Sequence, residues 1–370
     1  MKEESGNIVS SNEKILLFSK HNFVNQICNE ETCFICGIKK NDTDFNDEHV
    51  IPRWILKRYQ LFEKKISLAN GKQIKYGNYK IPCCKKCNSF LGEEIENKIA
   101  EGFGKNIEDS IKFFNKNRKL VFTWISLLYI KTHLKDKAFK FDFLSNRKIS
   151  DDYNWDELHH IHCIARSIYT NIFIEESVYG SMFIFPCSDF IDGEKYDYID
   201  LYGTGTVLLR LGDFFIICVI NDSKLVTKLM ENKTKRITGK LNFLQIRELY
   251  SRITYEFLRI IDRPKYYTAV KFKDNYIGIQ TLINNTIRIA PYDEEFFGSL
   301  MYTLVKDYMY KPEHPILKNK MQEQIQAIKK GQWTYLFDSN GKFIEDFPNI
   351  IEHEDIVAEN LKMGIDIFIK

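Results

Sequence analysis

Two Cys-x-x-Cys pairs, Cys33-Phe34-Ile35-Cys36 and Cys84-Lys85-Lys86-Cys87, enclose a long loop in the first quarter of the chain. Four thiolates at this spacing can hold one zinc ion tetrahedrally. A module of about 60 residues has too little core to stand alone and needs a staple, such as a structural metal. The pairs therefore predict a small metal-stapled module, and by themselves predict no chemistry.

The loop carries Glu48-His49-Val50-Ile51-Pro52, and the second pair runs straight into Asn88. Cutting a phosphodiester needs a base near neutral pKa to take a proton from water, which suits the His49 imidazole. It also needs a hard cation beside the phosphoryl oxygens, held by oxygen ligands such as Glu48 and Asn88. Between Arg53 and Lys86 the charged residues are ten cations and a single acid, Glu63. Arg53, Lys57, Arg58, Lys85 and Lys86 are the candidates for binding a nucleic-acid backbone, a contact that carries no sequence information. Trp54 and Tyr59 are expected to pack the module.

These residues resemble the HNH, or His-metal finger (ββα-metal), endonucleases, in the zinc-stapled branch that includes phage junction-resolving enzymes. The resemblance covers residues 33–98. It implies a β-hairpin followed by a helix, with His49 ending the first strand and acting as base. It also implies that Glu48 and Asn88 bind a catalytic Mg²⁺ or Mn²⁺ ion, and that Cys33, Cys36, Cys84 and Cys87 bind structural Zn²⁺. Many members have Asp where this chain has Glu48. The family's middle asparagine is matched by Asn78 only with a shift of one position, which otherwise falls on Tyr79. Cys83 is a bystander, or a substitute for Cys84 if the register moves.

The chain has 370 residues, enough for two or three domains at ~100–200 residues each. Its 44% hydrophobic and 14% aromatic content supports packed cores, while a net charge of +3 argues for no partner. Nine cysteines, several in apolar runs such as those around Cys163 and Cys218, suit a reducing compartment. The polar, acidic start reads as no signal peptide, and the apolar run at 120–130 is half a membrane span. A cytoplasmic protein is expected, with no membrane partner.

The expected fold class is α+β, with a ββα-metal zinc module followed by a larger mixed region. Residues 1–32 read as a polar lead-in with one short helix at 13–24. Residues 33–100 are the nuclease module, 101–137 are connecting core helices, and 138–370 are an α+β targeting or regulatory domain. Strands are expected near 182–185, 196–202, 207–210, 214–220, 266–273 and 276–289. A last hairpin is expected at 333–345. His159, His160 and His162 read as helix surface, and Gly203-Thr204-Gly205 as a strand-to-strand turn. The functional expectation is a metal-dependent endonuclease acting on double-stranded DNA, of restriction or phage-defence type, with a second copy or a regulatory protein as partner. The alternatives are a non-catalytic zinc-stapled nucleic-acid-binding module and an RNA-cleaving, toxin-like nuclease using the same site.

Overall fold

The apolar run at 120–130 folds as the middle of a helix whose residues are buried on every side, as a helix without a polar face must be. In the computed structural model, which describes residues 1–345 apart from 69, 105, 142–143, 145, 189–192 and 285, the chain forms two compact units. One is Met1–Gly180 with Pro264–Ile283, and the other is Ser181–Arg263 with Asn284–Lys370. The boundary expected at 137–138 thus falls inside the first unit.

The first unit opens with a three-stranded antiparallel sheet, β1 (Lys2–Glu4), β2 (Asn7–Val9) and β3 (Ile15–Leu17). A helix follows, α1 (Lys20–Asn22), widening into a π turn over Phe23–Cys28. Phe18, Phe23 and Ile27 are buried, so the expected loose lead-in is an ordered layer. The cysteine-bracketed segment then gives β4 (Glu48–His49), α2 (Arg53–Arg58), the hairpin β5 (Lys65–Ser67) and β6 (Gln73–Lys75), and β7 (Lys80–Ile81). A long helix follows as α3 (Lys85–Leu91), a π turn over Gly92–Glu96, and α4 (Asn97–Gly102). Next come α5 (Ile107–Lys116), the central α6 (Arg118–Asp136), α7 (Trp155–Ala165), α8 (Ser167–Thr170) and β8 (Phe173–Ile174).

The second unit is built on β9 (Ser181–Pro186), β10 (Tyr196–Leu201), β11 (Thr206–Leu211) and β12 (Phe214–Val219), an antiparallel sheet in the order β10-β11-β12-β9. Every residue of β11 and β12 is buried, which explains the unbroken apolar sequence of β12, while buried Arg210 of β11 donates to the carbonyls of Gly212, Glu194 and Ser188. Gly203-Thr204-Gly205 is the turn between β10 and β11, with Gly205 at φ +55°. Helices α9 (Leu225–Thr234) and α10 (Phe243–Arg259) follow, the latter opened by a reciprocal Asn242–Gln245 cap. The chain then returns to the first unit as β13 (Lys265–Lys271) and β14 (Tyr276–Leu282), and β14 runs parallel to β8. Helices α11 (Glu294–Val305) and α12 (Pro315–Lys329) complete the second unit. The expected last hairpin is present in short form: Phe337 bridges Phe343, Ile344 N donates to Leu336 O (3.0 Å) and Asp338 N to Lys342 O (2.9 Å), and Gln245 Nε2 holds it from the side on Tyr335 O and Ile344 O. Among the described residues no helix is long and apolar enough to cross a membrane.

Candidate metal centre and catalytic cleft

The first cysteine pair closes a tight turn, with Gly37 N donating to Cys33 O at 2.8 Å. Gly37 has φ +76°, and a Cβ there would stand 2.8 Å from the Phe18 ring, so both backbone and packing require glycine. The second pair sits on a helix start, where Cys84 is the N-cap of α3 and Cys87 lies in its first turn. The Sγ atoms of Cys33, Cys36, Cys84 and Cys87 lie within 4.8 Å of one another. Sulfurs bound at about 2.3 Å to one tetrahedral ion stand roughly 3.8 Å apart. Cys36 and Cys84 Sγ are 3.8 Å apart, so the cluster is compatible with structural zinc. Hydrogen bonds from Cys36, Cys83 and Cys87 hold the Cys33 thiol well below its usual range, while Cys33 in turn drives Cys83 and Cys87 upward. A divalent cation would relieve that conflict by stabilising all the thiolates together. Cys83 lies 3.9 Å from Cys33 but outside the mutually close set, which leaves Cys84 as the ligand candidate.

Helix α7 grips the first pair from behind. His162 Nε2 donates to Phe34 O at 2.7 Å, and Arg166 Nε donates to Ile35 O at 2.6 Å. These carbonyls belong to the two residues between Cys33 and Cys36. Arg166 Nη2 also reaches Ile15 O (2.7 Å), and His159 Nε2 donates to Phe18 O (2.8 Å). Burial keeps His162 well below the usual histidine range, which fixes it as a neutral donor. His159 and His162, expected on a helix surface, are therefore buried clamps. His160 is half-buried, stacked on Tyr266 with ring centroids 4.0 Å apart.

Strand β4 pairs with β7 in the register Glu48↔Ile81 and His49↔Lys80, and α3 follows. His49 ends its strand, and Asn88 is the central residue of α3. Adjacent strand residues face opposite sides. Glu48 turns inward, 7% exposed, and its Oε1 accepts from Lys131 Nζ at 2.8 Å. Lys131, on α6 and wholly buried, also donates to His49 O (2.9 Å) and to Glu96 Oε1 (3.4 Å). Burial alone would lower Lys131, but Glu48 and Glu96 outweigh it and hold the ammonium above its ordinary value. Burial lifts Glu96 to about 7, with Lys131 pulling it down and Glu48 pushing it up. Further along α6, Asp136 accepts the Tyr79 hydroxyl at 2.6 Å.

His49 faces the other way, half-buried, into a cleft of about 500 Å³ lined also by Arg53, Phe62, Glu63, Lys75, Gly77, Asn78 and Lys80. Burial lowers its pKa from the ordinary 6.5, and the charge of Lys80 adds to this, while Glu48 pulls upward. Tyr79, 1% exposed, is committed to the core, and exposed Asn78 lies in the cleft with His49. Glu63 pairs with Lys75 at 2.5 Å, which leaves the lining cationic.

Glu48 and Asn88 are not among the lining residues. Asn88 is partly exposed and donates Nδ2 to Asn46 O (3.1 Å), so Oδ1 is the atom it can present to a cation. Glu48 is the counter-ion of Lys131 and does not fit the role of an open metal ligand. Among the expected backbone binders, Arg53 reaches the cleft, while Lys57, Lys85 and Lys86 are exposed away from it. Arg58 is held by Phe103 O (2.8 Å) and Ala100 O (3.3 Å) and lies over Trp54. Trp54 stacks on Trp124 and packs the module, as expected. Lys131, Glu96, His162 and Arg166 escape sequence reading because each acts on a partner far away in the chain. The one available signal was Lys131 itself, a lone cation ending an apolar helical run.

The chain matches no protein-family model, no curated protein and no solved structure. A neutral imidazole, a carboxamide and several cations around one open cleft can bind a phosphate and take a proton from a nucleophile.

Proposed function

We propose that this chain is an HNH-type endonuclease that hydrolyses phosphodiester bonds, with double-stranded DNA as its substrate. The observation that carries this reading is the convergence of His49 and Asn78 on one cationic cleft, beside a strand–strand–helix frame and four clustered cysteines. Zn²⁺ is the proposed occupant of the cysteine cluster.

A phosphate entering the cleft meets Arg53 and Lys80, which offset charge gathering on its nonbridging oxygens. His49, kept neutral by burial, accepts the proton of the attacking water. Phe62, edge-on to His49 with ring centroids 6.0 Å apart, limits the imidazole's rotation. Asn78 is placed to hydrogen-bond the bound phosphate or the water. Of the two oxygen donors that the resemblance gives to Mg²⁺ or Mn²⁺, Asn88 can offer Oδ1 and Glu48 is committed to Lys131. A role as a restriction or phage-defence effector, controlled by the second unit, rests on analogy of design.

The test is supercoiled plasmid incubated with zinc-loaded protein and Mg²⁺ or Mn²⁺. Nicking or linearisation is expected from the wild type and not from His49→Ala. Cleavage that survives unchanged in His49→Ala removes the assignment. The pairing of Glu48 favours a second reading, a nucleic-acid-binding module without catalysis. Tight duplex binding with no nicking in any divalent metal selects it.

A further inference from the structure

We infer that Glu48 is a positioning residue, the counter-ion through which Lys131 fixes the strand carrying His49, and is not a ligand of a catalytic divalent cation. This rests on the reading of His49 as the base. Strand alternation sets Glu48 on the face opposite His49, and its side chain is 9% exposed against 0% for Lys131. The 2.8 Å bond between them lies where water does not screen it.

The geometry around Lys131 gives the pair its function. One ammonium joins the Glu48 carboxylate, the His49 carbonyl at 2.9 Å and Glu96 on the π turn after α3. It thereby ties β4 to the central helix and to the helix that bears Cys87 and Asn88. Both neighbours of the peptide between Glu48 and His49 are fixed, one through a side chain and one through the backbone. A two-residue strand has too few ladder bonds to hold an imidazole in one place, and the ammonium supplies the missing constraint. Recruiting Glu48 to a divalent ion would strip Lys131 of its closest partner and leave a buried ammonium with the His49 carbonyl and, for charge, Glu96 at 3.4 Å. That rearrangement is disfavoured as the breaking of any buried pair is.

The test uses the zinc-loaded full chain and Glu48→Gln, Lys131→Met and the double variant. In Mn²⁺ titrations followed by electron paramagnetic resonance, Glu48→Gln is expected to bind within about twofold of wild type, or neither to bind. A loss of about tenfold or more in Glu48→Gln makes Glu48 a ligand and overturns the inference. In plasmid cleavage, Glu48→Gln is expected to lower kcat by about tenfold with KM unchanged. A large excess of Mn²⁺ should not restore the rate, and restoration overturns the inference. Lys131→Met should melt below wild type, and the double variant no lower than Lys131→Met, because an orphaned carboxylate has been removed. Fully additive losses overturn the coupling. A wild-type chain that cuts nothing removes the nuclease reading alone, since the metal and melting measurements still judge the pair.

Discussion

A half-buried imidazole flanked by Lys80 and Arg53 gives up its proton more readily than one in water. As the proposed base, His49 must be neutral to act, so the rate should climb with pH, with an acid midpoint below 6.5 and a plateau through neutrality. Cleavage rates at fixed metal from pH 5 to 8 check this, and a midpoint well above 6.5 contradicts the burial of His49. The cations around it divide by what they already hold. Arg53→Ala should weaken duplex binding and flatten the salt dependence by about 0.9 for each phosphate it ceases to neutralise. Arg58, held by Phe103 O and Ala100 O, should behave otherwise. Arg58→Ala should cost about 1 kcal/mol of stability and leave the salt slope unchanged, as urea unfolding and binding in graded salt would show.

At the scale of elements, β4 and β7 have two residues each, well short of what an isolated hairpin needs to persist. Their frame is held by the cysteine cluster at one end, the α7 clamps behind it and the polar final turns of α6. One zinc per chain is expected by elemental analysis, and chelation should lower the melting temperature by about 10 °C or more. Cys36→Ser should reproduce that loss, whereas Cys163→Ser, outside the cluster, should keep full zinc content. Chelation with no thermal effect would make the cluster a bystander of folding. Most strands were legible because their apolar periodicity is local, and so was the short final hairpin. Its bracing by Gln245 on α10, which donates to Tyr335 O and Ile344 O, was not, because that side chain comes from a distant part of the chain.

For the whole molecule, the first unit is discontinuous, since β13 and β14 return to it after the second unit has begun. A fragment of residues 1–180 lacks the strand that pairs with β8 and the ring that stacks on His160. It should therefore melt below the first transition of the full chain, in scanning calorimetry, and regain stability when 264–283 is grafted on. A fragment as stable as the full chain would show that the returning hairpin is dispensable. Sequence reading placed the boundary at 137–138 because texture changes there, but texture follows local composition and not which segments share a core.

The order of residues alone determined the four-cysteine cluster and the α+β class, since ligand spacing and hydrophobic period are written within a few positions. Only the tertiary structure decided that Asn78 and not Tyr79 shares the cleft, that α7 braces the first cysteine pair, and that Glu48 faces Lys131. Those outcomes depend on which distant side chain fills a buried, low-dielectric space first. A carboxylate next to a histidine reads as a metal ligand until an ammonium from another helix arrives to pair with it.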